Sequence, residues 1–171
     1  SVTWDAKAHS AWIDRIAAAF AQPVAAASPE AQGSEVIFVV SLPRSGSTLT
    51  EQILSAHSQV EGASELPDLP AIIEEESRRR GHPYPGWVGD ASPEDWARLG
   101  QAYLDRTARW REQRPRFTDK GLSNWAYVGA IMAMLPQARV VICRRDPLET
   151  CFSCFQQVFA RGQDFSYAIE D

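Results

Sequence analysis

The sequence predicts an α/β fold in three layers, in which helices flank a central parallel sheet. Two runs, at 36–40 and 139–143, are dominated by apolar and β-branched residues, as in strands that are buried on both faces. Segments with helical spacing of apolar residues separate and follow these runs. Strands that alternate with helices indicate a parallel sheet.

The composition is typical of one globular domain. The chain has 171 residues, of which 44% are hydrophobic and 23% are charged. Its net charge of −5 does not favour nucleic acid as a partner. It has no run of about 20 apolar residues that would predict a membrane span, and its first residues lack a signal-peptide core. Three clustered cysteines do not indicate a secreted disulfide framework, so we expect a cytoplasmic protein.

The N-terminal region, residues 1–33, is predicted to be a helix at 9–22 followed by a linker rich in Ala, Pro, Ser and Gly. The domain proper is predicted to occupy 34–171. Its further predicted elements are helices at 47–57, 70–80, 92–113, 124–135 and 147–161, and a short strand at 116–119. The chain ends within another helical pattern, so we expect the domain to be incomplete at its C-terminus.

A loop that suits a phosphate follows the first strand. It reads Pro43, Arg44, Ser45, Gly46, Ser47, Thr48, Leu49. A helix that begins here would present unpaired N–H groups and a partial positive charge, and Arg44 would add a fixed charge. The loop is not a Walker A motif, because no lysine precedes its hydroxyl residues. An ordinary Ser/Gly turn is the alternative interpretation.

A second cationic cluster, Arg144 and Arg145, ends the other apolar strand and is followed by Asp146, a predicted helix cap. Ser153 follows two helical turns later. Ligands of open α/β sheets lie at the carboxyl ends of the strands, so both clusters would lie at the same edge. Arginines here suit an anion, whereas a magnesium-dependent phosphotransferase presents an aspartate from its second strand. The sequence therefore predicts two phosphate sites and no metal site.

The loop at 43–49 resembles the 5′-phosphosulfate loop of sulfotransferases, and Arg145 with Asp146, Pro147 and Ser153 resembles their 3′-phosphate site. The resemblance covers residues 36–168. It is nearest to the tyrosylprotein type and to bacterial sulfotransferases that follow a tetratricopeptide-repeat array, which implies a possible helical-repeat domain upstream. It further implies a P-loop-like fold, the donor 3′-phosphoadenosine 5′-phosphosulfate (PAPS), and transfer of a sulfuryl group to an acceptor hydroxyl without a metal.

The same resemblance implies roles for single residues. Arg44 and Lys120 would stabilise charge on the leaving oxygen, and Glu65 would be the general base, with Glu61 as the fallback. Arg44, Arg145 and Ser153 would bind the donor, together with the loop residues Ser45, Gly46, Ser47, Thr48 and Leu49. His57 is expected to end a helix, and Cys151 and Cys154 to pack rather than to bind zinc.

Two other functions are left open. A P-loop-type nucleotide kinase would need a metal-holding acid, for which Asp119 and Asp146 are the candidates. A non-catalytic nucleotide-binding module is the second alternative. The acceptor is equally open between a peptide tyrosine, a sugar and a small alcohol, because fold and donor site do not specify it. The charge run at 74–80 is expected to form a solvated helix face.

Overall fold

A computed structural model describes residues 5–30 and 32–156. The helices are α1 (Ala6–Ala19), α2 (Ser47–Ser55), α3 (Asp68–Arg80), α4 (Pro93–Arg106), α5 (Val128–Met134) and α6 (Pro147–Phe155). The strands are β1 (Val36–Ser41), β2 (Val60–Gly62), β3 (Arg116–Asp119) and β4 (Arg139–Cys143). Short 3₁₀ turns occur at Val88–Asp90, Ala108–Arg111 and Asn124–Tyr127.

Within the described residues, four strands form one sheet in the order β2-β3-β1-β4, and every neighbouring pair is parallel. The predicted α/β fold with a parallel sheet is therefore confirmed. Phe38 in β1 pairs with Asp119 of β3 on one side and with Val140 of β4 on the other. Because all strands run the same way, their four carboxyl ends meet at one edge of the sheet, which we call the carboxyl edge.

The core lies around β1 and is rich in aromatic residues. Val36 and Phe38 are fully buried, and Tyr103 of α4 contacts the ring of Phe38. The helix predicted from 92 begins with a capping box: Asp95 N donates to Ser92 Oγ, and Ser92 N donates to the Asp95 carboxylate, each at 3.2 Å. The buried strand β1 and the capped helix α4 thus form a stable framework for the loops at the carboxyl edge.

The prediction that residues 139–143 form a buried strand is half wrong. The strand exists, but within the described residues β4 lies at the end of the strand order and is only partly covered. Ile142 is 64% exposed. An apolar run alone cannot distinguish a central strand from one at the end of the order, because it does not show which elements cover the strand.

The charge run in α3 forms the expected solvated face only in part. Glu74 and Glu75 are exposed, but Glu76 is only 2% exposed. Its carboxylate accepts hydrogen bonds from Arg79 and Arg80 in its own helix and from Arg98 in α4. A buried carboxylate needs such partners, and Arg98 became available only through the packing of α3 on α4.

Several boundaries differ from the predicted ones. The helix predicted to reach 113 ends at Arg106 and continues as the 3₁₀ turn Ala108–Arg111, and the helix predicted from 124 begins with a 3₁₀ turn. The strand β2 was missed, because its three residues, Val-Glu-Gly, are too few to show a period. The part of the last predicted helix beyond Gln156 lies outside the described residues.

The N-terminal region contacts the domain at several points. Ala27 is buried and its N–H donates to the carbonyl of Ala133 at 2.8 Å, and Gln32 Nε2 donates to the carbonyl of Ala97. Phe20 packs against the core. In the part of the chain that the structure describes, no helix combines the length and the apolar character needed to cross a bilayer.

Candidate active site

The loop between β1 and α2 has an unusual backbone. Arg44 and Gly46 both adopt left-handed conformations, with φ of 64° and 92°. Glycine tolerates this conformation, whereas it is strained for arginine. Gly46 is the N-cap residue of α2, and no side chain among the described residues caps that helix. The first N–H groups of α2 therefore face the carboxyl edge without a side-chain acceptor, which suits an anion.

The two predicted cationic clusters lie beside each other. Arg145 Nη1 donates to the backbone carbonyl of Arg44 at 3.3 Å, and Arg44 Nε donates to Ser153 Oγ at 3.0 Å. Arg145 also forms an exposed ion pair with Glu149, an i,i+4 contact of the kind that contributes little and is easily exchanged. The tertiary structure thus brings together Arg44, Arg145 and Ser153, which span 109 positions of the chain.

Glu65 and Lys120 form a third part of the site. Lys120 Nζ lies 3.3 Å from Glu65 Oε1, although the two residues are 55 positions apart. Lys120 is only 7% exposed, so it is not a solvated loop lysine of the usual kind. Half of the Glu65 side chain is exposed. A cation and an accessible carboxylate therefore share one corner of the carboxyl edge.

A cleft of about 750 Å³ joins these groups. It is lined by Pro43, Arg44, Ser45, Gly46, Ser47, Thr48, Leu49, Gln52, Glu65, Leu122, Arg144 and Arg145. Every predicted loop residue is therefore in the wall, together with the predicted base. Ser153 and Lys120 are not in the wall themselves; they contact Arg44 and Glu65, which are.

The two aspartates considered as metal ligands, Asp119 and Asp146, form hydrogen bonds within the fold. Asp119 is fully buried and accepts hydrogen bonds from Tyr103 Oη and from Asn124 Nδ2. Burial raises the pKa of this carboxyl, although these hydrogen bonds oppose the shift. Asp146 caps α6 by accepting from Glu149 N at 3.1 Å, as predicted. Neither residue lines the cleft.

The remaining candidates do not line the cleft. Glu61, the fallback base, pairs with Arg114 at 3.5 Å. His57 follows α2 and its Nδ1 accepts from Gln59 N, in line with the helix-ending role expected for it. Cys154 is buried, as expected, and lies against the carbonyl of Pro43. The expectation that Cys151 packs is wrong, because its side chain lies on the exposed side of α6.

Three wall residues, Gln52, Leu122 and Arg144, were given no individual role from the sequence, although Arg144 was predicted as a member of the second cationic cluster. A signal existed for two of them. Gln52 follows Thr48 by four residues in α2 and therefore lies on the same helix face. Arg144 adjoins Arg145 at the carboxyl end of a strand, where ligands are expected. Leu122 had no such signal, because its position depends on the path of the loop after β3.

Fold and cleft together define an α/β protein whose carboxyl edge carries a phosphate-type loop, arginines and a carboxylate–lysine pair. Residues 36–171 match the proteins described as the Sulfotransferase family, and the chain belongs to that family. It is 39% identical over 136 residues to a protein of Aquifex aeolicus (strain VF5) described as an uncharacterized protein. The match covers 72% of this chain and 17% of that relative.

Proposed function

We propose that this chain transfers a sulfuryl group from PAPS to an acceptor hydroxyl, with Glu65 as the general base. The observation that supports this most strongly is the contact between Arg44 and Arg145 in the wall of a cleft that is also lined by Glu65. Two cationic groups that adjoin a helix N-terminus suit a ligand with more than one phosphate.

The residues of the cleft fit such a donor. Arg44 and the N–H groups at the start of α2 would hold the phosphosulfate end. Arg145 and Ser153 would hold the 3′-phosphate. Arginine is suited to both tasks, because its planar group binds phosphate oxygens in pairs. The Arg145–Glu149 pair is exposed, so exchanging Glu149 for a phosphate costs little.

The reaction would form a bond between the acceptor oxygen and sulfur, while the bond between sulfur and the bridging phosphate oxygen breaks. Glu65 would accept the proton of the acceptor hydroxyl. Arg44 and Lys120 would stabilise the negative charge that develops on the leaving phosphate oxygen, a contribution that is large when cations are fixed in advance. The products would be the sulfated acceptor and adenosine 3′,5′-bisphosphate.

The acceptor stays an open part of the proposal. It would approach Glu65 along the wall formed by Leu49, Gln52 and Leu122, which offers two apolar side chains and one amide. A peptide tyrosine, a sugar and a small alcohol all fit that description. The tyrosylprotein and repeat-linked subtypes, and the division into residues 1–33 and 34–171, stay predictions as well.

Titration calorimetry with two nucleotides tests the donor site. The full chain should bind adenosine 3′,5′-bisphosphate more tightly than adenosine 5′-phosphate. Arg145→Ala should weaken the bisphosphate by about 10- to 100-fold, as expected for a lost charged hydrogen bond, and leave the monophosphate nearly unchanged. Arg139→Ala, an exposed arginine at the opposite end of the same strand, is the matched control. Equal weakening of both nucleotides by Arg145→Ala would refute the assignment of Arg145 to the 3′-phosphate.

A further inference from the structure

We propose that Glu51 is a positioning residue, which holds the backbone before Glu65 so that Glu65 faces Lys120 in the cleft. The inference rests on the proposed function, because it concerns the base of the same reaction. Glu51 does not line the cleft, and its role would be exerted through Ser64.

Glu51 is a buried carboxylate among neutral donors. It lies in α2 and is 8% exposed. Its Oε1 accepts from Thr118 Oγ1 at 2.6 Å and from the backbone N–H of Ser64 at 2.8 Å. A buried carboxylate that accepts hydrogen bonds from two fixed donors makes strong, directional contacts. Glu51 therefore ties α2 to β3 and to the loop after β2.

Ser64 is held in a conformation that it would not adopt by preference. Its φ is 63°, in the left-handed region that disfavours a residue with a side chain. Its N–H donates to Glu51, and its carbonyl accepts from the N–H of Lys120 at 3.0 Å. Such strain persists only where surrounding contacts impose it, and these two hydrogen bonds act on both sides of the residue.

The consequence for the site follows from chain connectivity. Glu65 is the next residue after Ser64, and Lys120 is the residue whose N–H holds the Ser64 carbonyl. The backbone hydrogen bond between Lys120 and Ser64 therefore lies next to the 3.3 Å contact between the side chains of Lys120 and Glu65. Without the Glu51 contact, Ser64 would lose its anchor to α2, and the direction of Glu65 would no longer be fixed.

Glu51 also connects the base to the donor loop. It follows Ser47 by four residues in α2, the helix whose N-terminus forms part of the cleft. One rigid helix therefore carries the donor loop at its start and the anchor of the base one turn later. Fixing donor and base to the same element is a direct means of keeping reacting groups in line.

Two variants of Glu51 test the proposal, with release of adenosine 3′,5′-bisphosphate from PAPS as the assay, in the presence of a phenol or of water alone. Glu51→Ala should lower kcat by about 10- to 100-fold, as a small misplacement of a reacting group does, with the KM for PAPS within about twofold of wild type. Glu51→Gln keeps a carbonyl oxygen that can accept both hydrogen bonds, so it should retain most of the activity.

Glu65→Gln provides the background that separates positioning from general damage. If Glu51 acts through Glu65, the double variant Glu51→Ala/Glu65→Gln should be no slower than Glu65→Gln alone, because residues that act as a unit are not additive. Glu76→Ala is the matched control. It removes a buried glutamate from outside the cleft and should leave kcat within about twofold when the protein is folded.

Amide hydrogen exchange of Ser64, measured by NMR, needs no substrate. Protection of this amide should be lost in Glu51→Ala and kept in Glu51→Gln. The proposal is wrong if the Ser64 amide stays protected in Glu51→Ala, or if Glu51→Ala slows the Glu65→Gln enzyme as much as it slows wild type. Full activity of Glu65→Gln is a different result: it would remove Glu65 as the base and so contradict the proposed function itself.

Discussion

Two groups of arginines in this molecule have opposite surroundings. On the face formed by α3 and α4, Arg79, Arg80 and Arg98 all contact the buried carboxylate of Glu76. The same three arginines also contact Asp95. At the cleft, Arg44 contacts the hydroxyl of Ser153, and Arg145 contacts a carbonyl and the exposed Glu149. The first group is paired with two acids, one of them buried, whereas the second has neutral partners and one exposed acid.

The difference separates charges that hold the fold from charges that are available to a ligand. Arginines that surround a buried acid join two helices, and removing the acid should affect stability. Arginines with neutral or exposed partners keep their capacity to bind a phosphate, and removing them should affect binding and turnover. Variants of the α3–α4 group should therefore change the free energy of unfolding, and variants of the cleft group should change nucleotide binding and turnover.

The largest effect is expected for Arg44→Ala. Loss of a cation aimed at developing charge should lower kcat/KM by about 1000-fold, while the free energy of unfolding changes by less than about 1 kcal/mol because the side chain is exposed. Steady-state kinetics and urea unfolding measure the two quantities. Arg78→Ala, an exposed arginine of α3, is the control. A fully active Arg44→Ala enzyme would contradict the assignment of this residue to the site.

Glu76→Ala should show the reverse pattern. Removing the buried acid leaves the three arginines with only the partly exposed Asp95 as a shared partner, and the free energy of unfolding should fall by about 3 kcal/mol. Glu74→Ala, in an exposed pair with Arg78 at 4.0 Å, should change it by less than about 0.5 kcal/mol. Both would be measured by urea unfolding. Similar values for the two variants would mean that the buried cluster does not stabilise the fold.

Lowering the pH should weaken the same cluster without a substitution, because it protonates Glu76. Hydrogen bonds from the surrounding arginines, above all Arg79, lower the pKa of Glu76 from 4.5 to about 2. A lowered pKa contributes stability that is complete above the ordinary pKa of 4.5 and is lost as the pH falls towards 2. Between pH 7 and pH 3, Glu76 should account for a loss of about 2 kcal/mol. The free energy of unfolding should accordingly depend less on pH in Glu76→Gln. An unchanged pH dependence would contradict the contribution assigned to Glu76.

Much of the fold could be predicted from local sequence. The apolar run of β1, the Ser92 cap of α4 and the Asp146 cap of α6 each depend on residues that are neighbours in the chain. The phosphate-type loop could also be predicted, because Gly46 and its hydroxyl neighbours follow directly on a strand. Lys120 and Glu65 were predicted one at a time from a resemblance, and their mutual contact was not.

The parts that could not be predicted depend on partners far along the chain. Whether a glutamate in a helix is buried or solvated is decided by the element that packs on it: Arg98, 22 positions away, for Glu76, and Thr118, 67 positions away, for Glu51. Neither helical pattern marks its glutamate as buried. Only the tertiary structure distinguishes Glu51 and Glu76 from an exposed glutamate such as Glu74.

The sequence by itself therefore determined the class of fold, the loop at 43–49 and the arginines that end β4, since each is a short-range pattern of residue types. The tertiary structure decided which charges are paired, which strand lies at the end of the sheet order, and how Ser64 is held. The physical reason is that hydrogen bonds and burial depend on distances in space, and a parallel sheet brings the carboxyl ends of strands together whatever their separation in the chain.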